Sequence, residues 1–248
     1  MSLRRAAVAV PHAQPTSCPS RPRASSASPA SAAGREALGW LHTARFLTTA
    51  AQLHQLPPLE VPEIAFVGRS NAGKSTAINT LTQQTQLAYA SKKPGRTQHI
   101  NLFAVGRQGT TDAVLADLPG YGYAAVPLAD KVRWQRVMAN YLVSRRNLAG
   151  IVMLADPRRG LKELDEALLE VIRPRVEDGL PFLILLTKAD KLNRTEQAKA
   201  LQITRLQAGG GEVMLFSALK RQGVEDAALW LRQLVADAAP DEESAAEA

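Results

Sequence analysis

Gly68-Arg69-Ser70-Asn71-Ala72-Gly73-Lys74-Ser75 fits the pattern G-x-x-x-x-G-K-[ST]. The chemistry that needs this spelling is the holding of a polyphosphate. Glycines let successive backbone N–H groups curl inward around anionic oxygens. A helix beginning at the end of the loop points its positive end at the same oxygens. Lys74 supplies a point charge for the β- and γ-phosphates, and Ser75 offers a hydroxyl to Mg²⁺. The flanks suit this reading. The apolar run Ile64-Ala65-Phe66-Val67 precedes the loop and Thr76–Leu81 follows it, giving strand, turn and helix in order.

Three further motifs follow. Asp117-Leu118-Pro119-Gly120 closes the apolar stretch 113–116. A carboxylate at the carboxyl end of a strand reaches Mg²⁺ through a water, and the Gly120 N–H can face a γ-phosphate. Thr187-Lys188-Ala189-Asp190 follows the apolar stretch 183–186. Asp190 can accept hydrogen bonds from N1–H and the exocyclic amine of guanine, with the Lys188 stem lying over the base. Adenine lacks that donor pair and would strand a desolvated carboxylate, so it is rejected. Phe216-Ser217-Ala218, with Lys220, follows 213–215, where backbone N–H groups would meet the guanine O6. Each motif alone has an ordinary explanation: a common turn for D-x-x-G, a helix cap for Asp190. Their order carries the weight.

These residues need a scaffold that brings four strand ends together. Apolar runs predict strands over 63–67, 99–105, 111–117, 150–155, 181–186 and 212–216. Helical periodicity predicts helices over 74–83, 128–146, 161–177, 194–207 and 222–238. A leading amphipathic helix is expected over 36–56, ended by Pro57-Pro58. Alternating β and α elements define an α/β fold, a single P-loop domain with helices on both faces of a six-stranded, mostly parallel sheet. Gly106 to Gly109 joins 99–105 to 111–117 as a hairpin, so one edge strand is expected to be antiparallel. Ligands bind such sheets at the carboxyl edge.

The chain has 248 residues and net charge +7. Residues 1–35 hold five arginines and no acid, and the last twelve hold five acids and no base. The ends cancel, so the whole excess resides in the body, which suits an anionic partner such as nucleic acid. Residues 1–35, rich in Arg, Ser, Pro and Ala, and the acidic tail 239–248 are expected to be disordered, with the domain spanning 36–238. The arginine-rich start also fits an organellar transit peptide. One cysteine, Cys18, makes a disulfide framework or Cys-rich zinc site implausible and suits a reducing, cytoplasmic setting. No apolar run reaches the roughly 18 residues of a membrane span, so no stable membrane association is expected.

The phosphate loop, Pro94-Gly95-Arg96-Thr97-Gln98-His99-Ile100-Asn101, Asp117-Leu118-Pro119-Gly120-Tyr121-Gly122-Tyr123-Ala124 and Thr187–Leu192 together resemble the bacterial EngB (YihA/YsxC) family of GTPases. The resemblance covers about residues 40–236. It implies GTP and GDP as ligands and a role in assembly of the large ribosomal subunit, with its rRNA and ribosomal proteins as partners. It also implies a link to cell division and septation, and a monomer is expected. By position Thr97 matches the first-switch threonine, a Mg²⁺ ligand when γ-phosphate is present, and Gly95, Arg96, Gln98 and His99 surround it. Thr187 departs from the commoner asparagine. Two readings stay open beside this one, an organellar relative and another P-loop NTPase that does not act on ribosomes.

Tyr121 stands where Ras-like enzymes carry a water-orienting glutamine, so slow intrinsic hydrolysis is expected. Lys74, Thr97 and Gly120 are the expected transition-state contacts. Asn71 matches the position that holds K⁺ in related enzymes, which raises potassium stimulation as a hypothesis. Lys131, Arg133, Arg136, Arg145 and Arg146, with Trp134 and Tyr141 interleaved, could join Arg158 and Arg159 in a basic face for RNA phosphates.

Overall fold

A computed structural model describes residues 32–88, 99–122 and 128–238, with backbone alone at 128–131, 133 and 134. Residues 1–31, 239–248 and Gly95, Arg96, Thr97 and Gln98 lie outside the described residues, so the expected tails and most of the first switch do too.

The chain opens with helix α1 (Ala32–Leu41) and strand β1 (Arg45–Ala50), then β2 (Glu63–Gly68) and α2 (Lys74–Leu81). The hairpin β3 (Ile100–Val105) and β4 (Ala113–Asp117) follows, then α3 (Leu128–Ser144). From there β and α alternate through β5 (Leu148–Ala155), α4 (Glu163–Glu177), β6 (Phe182–Leu186), α5 (Arg194–Gln207), β7 (Glu212–Leu215) and α6 (Val224–Ala238). All five helices expected after residue 73 form within a few residues of their predicted limits.

The sheet has seven strands in the order β1-β3-β4-β2-β5-β6-β7, not the expected six. The added strand comes from the segment expected to be one helix, 36–56. That helix stops at Leu41, and Arg45–Ala50 pairs antiparallel with β3. Thr48, Thr49 and Phe46 favour a pleated surface over a helix, and Phe46 meets Phe103 edge-to-face at 6.3 Å between ring centroids. The helix also begins earlier than expected, so residues 32–35 belong to it rather than to the tail. Antiparallel pairing is confined to this end of the sheet, where β3 runs against β1 and β4. The remaining pairs are parallel.

Alternation along β2 divides the core in two. Ile64 and Phe66 face α1, α2 and α6, packing with Trp40, Ile78 and Leu231. Ala65 and Val67 face α3 and α4, packing with Leu142, Leu168 and Ile172. All four are 0% exposed, and burying each large side chain contributes about 1.5–3 kcal/mol. From β2 the chain builds β3 and β4 on one side and β5, β6 and β7 on the other. The crevice at the carboxyl end of β2 is therefore the topological switch point.

Candidate nucleotide site

The phosphate loop leaves β2 at this switch point. A Cβ on Gly68 would lie 2.7 Å from the Leu154 carbonyl oxygen, so the close approach to β5 requires glycine. Asn71 (φ 66°) and Gly73 (φ +99°) adopt left-handed conformations that curl the loop. Lys74 opens α2 with Ser75 behind it. The Lys74 ammonium pairs with Asp117 Oδ1, and both residues are buried. Asp117 Oδ2 is buried with no hydrogen-bond partner among the described residues. An orphaned carboxylate oxygen facing a loop that ends in a serine is a donor set that fits Mg²⁺, which binds through few protein ligands plus water and phosphate oxygens.

The D-x-x-G segment is stitched to this loop. The Ser70 N–H donates to the Tyr121 carbonyl at 2.8 Å, and the Tyr121 N–H to the Gly68 carbonyl at 3.3 Å. A Cβ on Gly120 would sit 3.2 Å from the Ser70 N and Cα. Leu118 and Pro119 are buried, leaving Gly120 as the partly open residue of the motif. The Tyr121 side chain turns toward α4. Its hydroxyl donates to Asp165 Oδ1 at 2.8 Å, while Asp165 Oδ2 accepts the Lys162 N–H at 2.9 Å and caps α4. Burial, then the neighbouring Asp165 charge, holds the Tyr121 phenol well above its usual range. Tyr121 therefore ties the D-x-x-G segment to α4.

At the base end, the Thr187 hydroxyl lies 2.5 Å from the Ala72 carbonyl and 3.2 Å from that of Ala155. This contact is what threonine provides in place of asparagine: a brace between β6 and the phosphate loop. Lys188 (φ 55°) reaches the Asn71 carbonyl at 2.9 Å and Asp156 Oδ2 at 3.2 Å. Asp190 Oδ1 accepts the Ser217 hydroxyl at 2.6 Å, and the Ser217 oxygen accepts the Lys220 N–H at 3.1 Å. That hydroxyl holds the Asp190 carboxyl below the usual range, so it is an acceptor at neutral pH. The Ala189 N–H donates to the Phe216 carbonyl at 3.1 Å, while the Phe216 ring is buried and Ala218 is half-buried. The four motifs thus meet at one sheet edge. His99 is exposed at the entry to β3.

Two acids escaped the sequence reading. Asp156 accepts from Arg158 Nε at 2.9 Å and Nη2 at 2.6 Å, as well as from Lys188. Burial alone would raise its carboxyl, but the bonds from Arg158 and Lys188 bring it down to about 2. Its position after β5 is the strand-end signal that marked Asp117 and Asp190. Asp165 carried no such signal, because its partner lies 44 residues away. Of the expected basic face, Arg158 is thus engaged by Asp156, and Arg145 and Tyr141 are engaged by Glu63. Arg145 donates to Glu63 at 2.6 and 2.8 Å, and the Tyr141 hydroxyl donates to the same buried carboxylate at 2.7 Å. Arg136, Arg146 and Arg159 are exposed.

A seven-stranded α/β sheet carrying a phosphate loop at its switch point, with D-x-x-G, T-K-x-D and S-A-x-K at the ends of β4, β6 and β7, defines the P-loop GTPase class. The family described as 50S ribosome-binding GTPase matches residues 63–188. The probable GTP-binding protein EngB of Albidiferax ferrireducens is 76% identical over 197 residues, covering 79% of this chain and 95% of that protein. Its counterpart in Acidovorax ebreus is 78% identical over 195 residues, 78% of this chain and 89% of that protein. A crystal structure of a probable GTP-binding protein engB shares the fold with TM-score 0.55 and 18% identity, covering 71% of this chain and 99% of that one. A crystal structure of an Aquifex aeolicus Era variant bound to GDP.AlF4- gives TM-score 0.59 at 20% identity, covering 74% of this chain and 58% of that one. The chain belongs to the EngB family of GTP-binding proteins and carries the GTPase domain of a GTP hydrolase.

Proposed function

We propose that this chain is a cytoplasmic GTP-dependent switch that binds a precursor of the large ribosomal subunit, hydrolyses GTP slowly and thereby supports normal division and septation. The domain expected over 36–238 takes in the whole helix that begins at Ala32. Backbone amides of 68–75 with the Lys74 ammonium hold the phosphates. Ser75 and Asp117, the latter through a water, hold Mg²⁺ together with Thr97. Mg²⁺ supplies charge neutralisation on the β- and γ-oxygens when bound. Asp190 and the 216–218 turn read guanine. Gly95 to His99 form the first switch, and Asn71 is the candidate K⁺ ligand.

The observation that carries this reading is the Asp190 carboxylate, fixed by the Ser217 hydroxyl; Asp190 stands two residues after Lys188, which itself holds the phosphate loop at Asn71. It is a built acceptor for a two-donor base edge. The family description and the basic body support the ribosomal partner. Among the described residues no helix is long and apolar enough to cross a membrane. Two measurements test the reading. Calorimetric titration should give GDP an affinity far above ADP, and equal affinities would sink it. Cosedimentation with 50S subunits should be stronger with a non-hydrolysable GTP analogue than with GDP, and no binding in either state would remove the ribosomal role.

A further inference from the structure

A cavity of about 280 Å³ lies against the phosphate loop on the side that faces β5 and α4. Ser70, Asn71, Ala72 and Lys188 line it, whereas Lys74, Ser75, Asp117 and Asp190 do not, so it adjoins the nucleotide groove across the phosphate loop. Leu154 and Ala155 contribute to its lining, and Arg69, Arg159 and Lys188 bring cations from three different segments. Arg69 is the second residue of the phosphate-loop motif. Its guanidinium lies beside Gly122, 3.4 Å from where a Cβ there would be.

The charge balance favours an anion. The two lining carboxylates are occupied: Asp156 by Arg158 and Lys188, Asp165 by the Tyr121 hydroxyl and the Lys162 N–H. Arg69 and Arg159 make no side-chain hydrogen bond or ion pair among the described residues. Three cationic side chains thus line the cavity against two carboxylates, and neither guanidinium has a charged partner of its own among the described residues. Guanidinium is the side chain suited to planar, forked recognition of phosphate. The volume falls just under the roughly 300 Å³ at which pockets for whole small molecules begin. It therefore suits one group of a larger ligand. The body's excess of positive charge selects a polyanion for that ligand.

We infer that this cavity binds a backbone phosphate of RNA, gripped by Arg69 and Arg159 against the outer side of the phosphate loop. The inference rests on the ribosomal partner proposed above and names its point of contact. An RNA phosphate held here touches the phosphate loop through Arg69 and sits beside Gly122, directly after the Tyr121 tie to α4. Partner binding and nucleotide state would then share the same backbone.

The test uses the full chain with a non-hydrolysable GTP analogue, and 50S subunits and protein-free 23S rRNA as probes, over a series of salt concentrations. Arg159→Ala is compared with Arg107→Ala, which removes the same charge from an exposed turn at the other end of the sheet. Arg159 is exposed, so thermal midpoints of both variants should match the parent. Arg159→Ala should weaken binding to both probes about tenfold. It should also reduce the slope of log affinity against log salt by about 1. Arg159→Lys should recover part of the loss, and GDP affinity should not change. If the parent binds 50S subunits and Arg159→Ala matches Arg107→Ala, the inference fails while the proposed function stands. If Arg159→Ala weakens binding to subunits but not to free rRNA, the cavity holds an acidic protein group and the inference also fails. If the parent binds neither probe, both readings fall.

Discussion

Asp190 is an acceptor because Ser217, from the next strand end, donates to it. The pair separates charge from geometry. Asp190→Asn keeps the shape but replaces one acceptor oxygen by an N–H₂ donor. The variant opposes guanine's exocyclic amine and complements xanthine, which presents a carbonyl there. Charge-assisted hydrogen bonds contribute about 1.5–3 kcal/mol each. Asp190→Asn should therefore lose at least about tenfold in GDP affinity and gain measurable affinity for xanthosine diphosphate, read by calorimetry. Ser217→Ala should preserve the base preference and weaken GDP less, since the carboxylate remains. Tyr121 gives a second test at this scale. Its hydroxyl is committed to Asp165, so Tyr121→Phe should leave GTP turnover within a few-fold of the parent. It strands a buried carboxylate oxygen and should lower stability by about 1–3 kcal/mol, read by denaturant titration. A loss of turnover far exceeding this would give the phenol a chemical role.

Elements transmit what these residues do. Asp156, directly after β5, holds Lys188 and Arg158, and Lys188 holds the phosphate loop at Asn71. The Asp156 carboxyl lies at about 2, below the ordinary aspartate value. A carboxyl depressed by folding adds stability that is fully present above its unfolded value near 3.9 and is lost as pH falls toward 2. Asp156→Asn should flatten the acid limb between about pH 4 and 2 in unfolding monitored by circular dichroism, and leave stability at pH 7 below the parent's. An unchanged acid limb would mean that the brace adds nothing. The same scale shows what the sequence displayed. The βα alternation and the strand-end motifs were legible because each is local: a glycine turn, an apolar run, a polar residue where it stops. Strand β1 was not, since the apolar spacing of Phe46 and Leu47 fits a helix until β3 offers an edge. The Tyr121–Asp165 and Arg145–Glu63 contacts were hidden for the same reason. Arg145 read as a surface cation because nothing near it in sequence announces Glu63, 82 residues away.

The whole molecule hangs on β2, and the candidate site joins both halves of the sheet across it. The phosphate loop touches β4 through Asp117, β5 through the close approach of Gly68 to Leu154, and β6 through Thr187. A ligand seated there binds the folded chain alone. GDP with Mg²⁺ at a hundred times its dissociation constant should therefore stabilise the fold by about 2.7 kcal/mol. Lys74 has two parts in this. It is a proposed phosphate contact, and it is the buried partner of Asp117. Removing one member of a buried ion pair costs about 3–5 kcal/mol, because the other charge is left uncompensated. Lys74→Ala should then do two separable things: abolish the GDP-induced rise in thermal midpoint, and lower the midpoint without nucleotide. Adding Asp117→Ala to it should restore much of the second loss and none of the first. Recovery of the midpoint without recovery of the GDP response would show that one lysine serves the core and the ligand through different partners. If the double variant is no more stable than Lys74→Ala, the buried pair is not what Lys74 contributes to the fold.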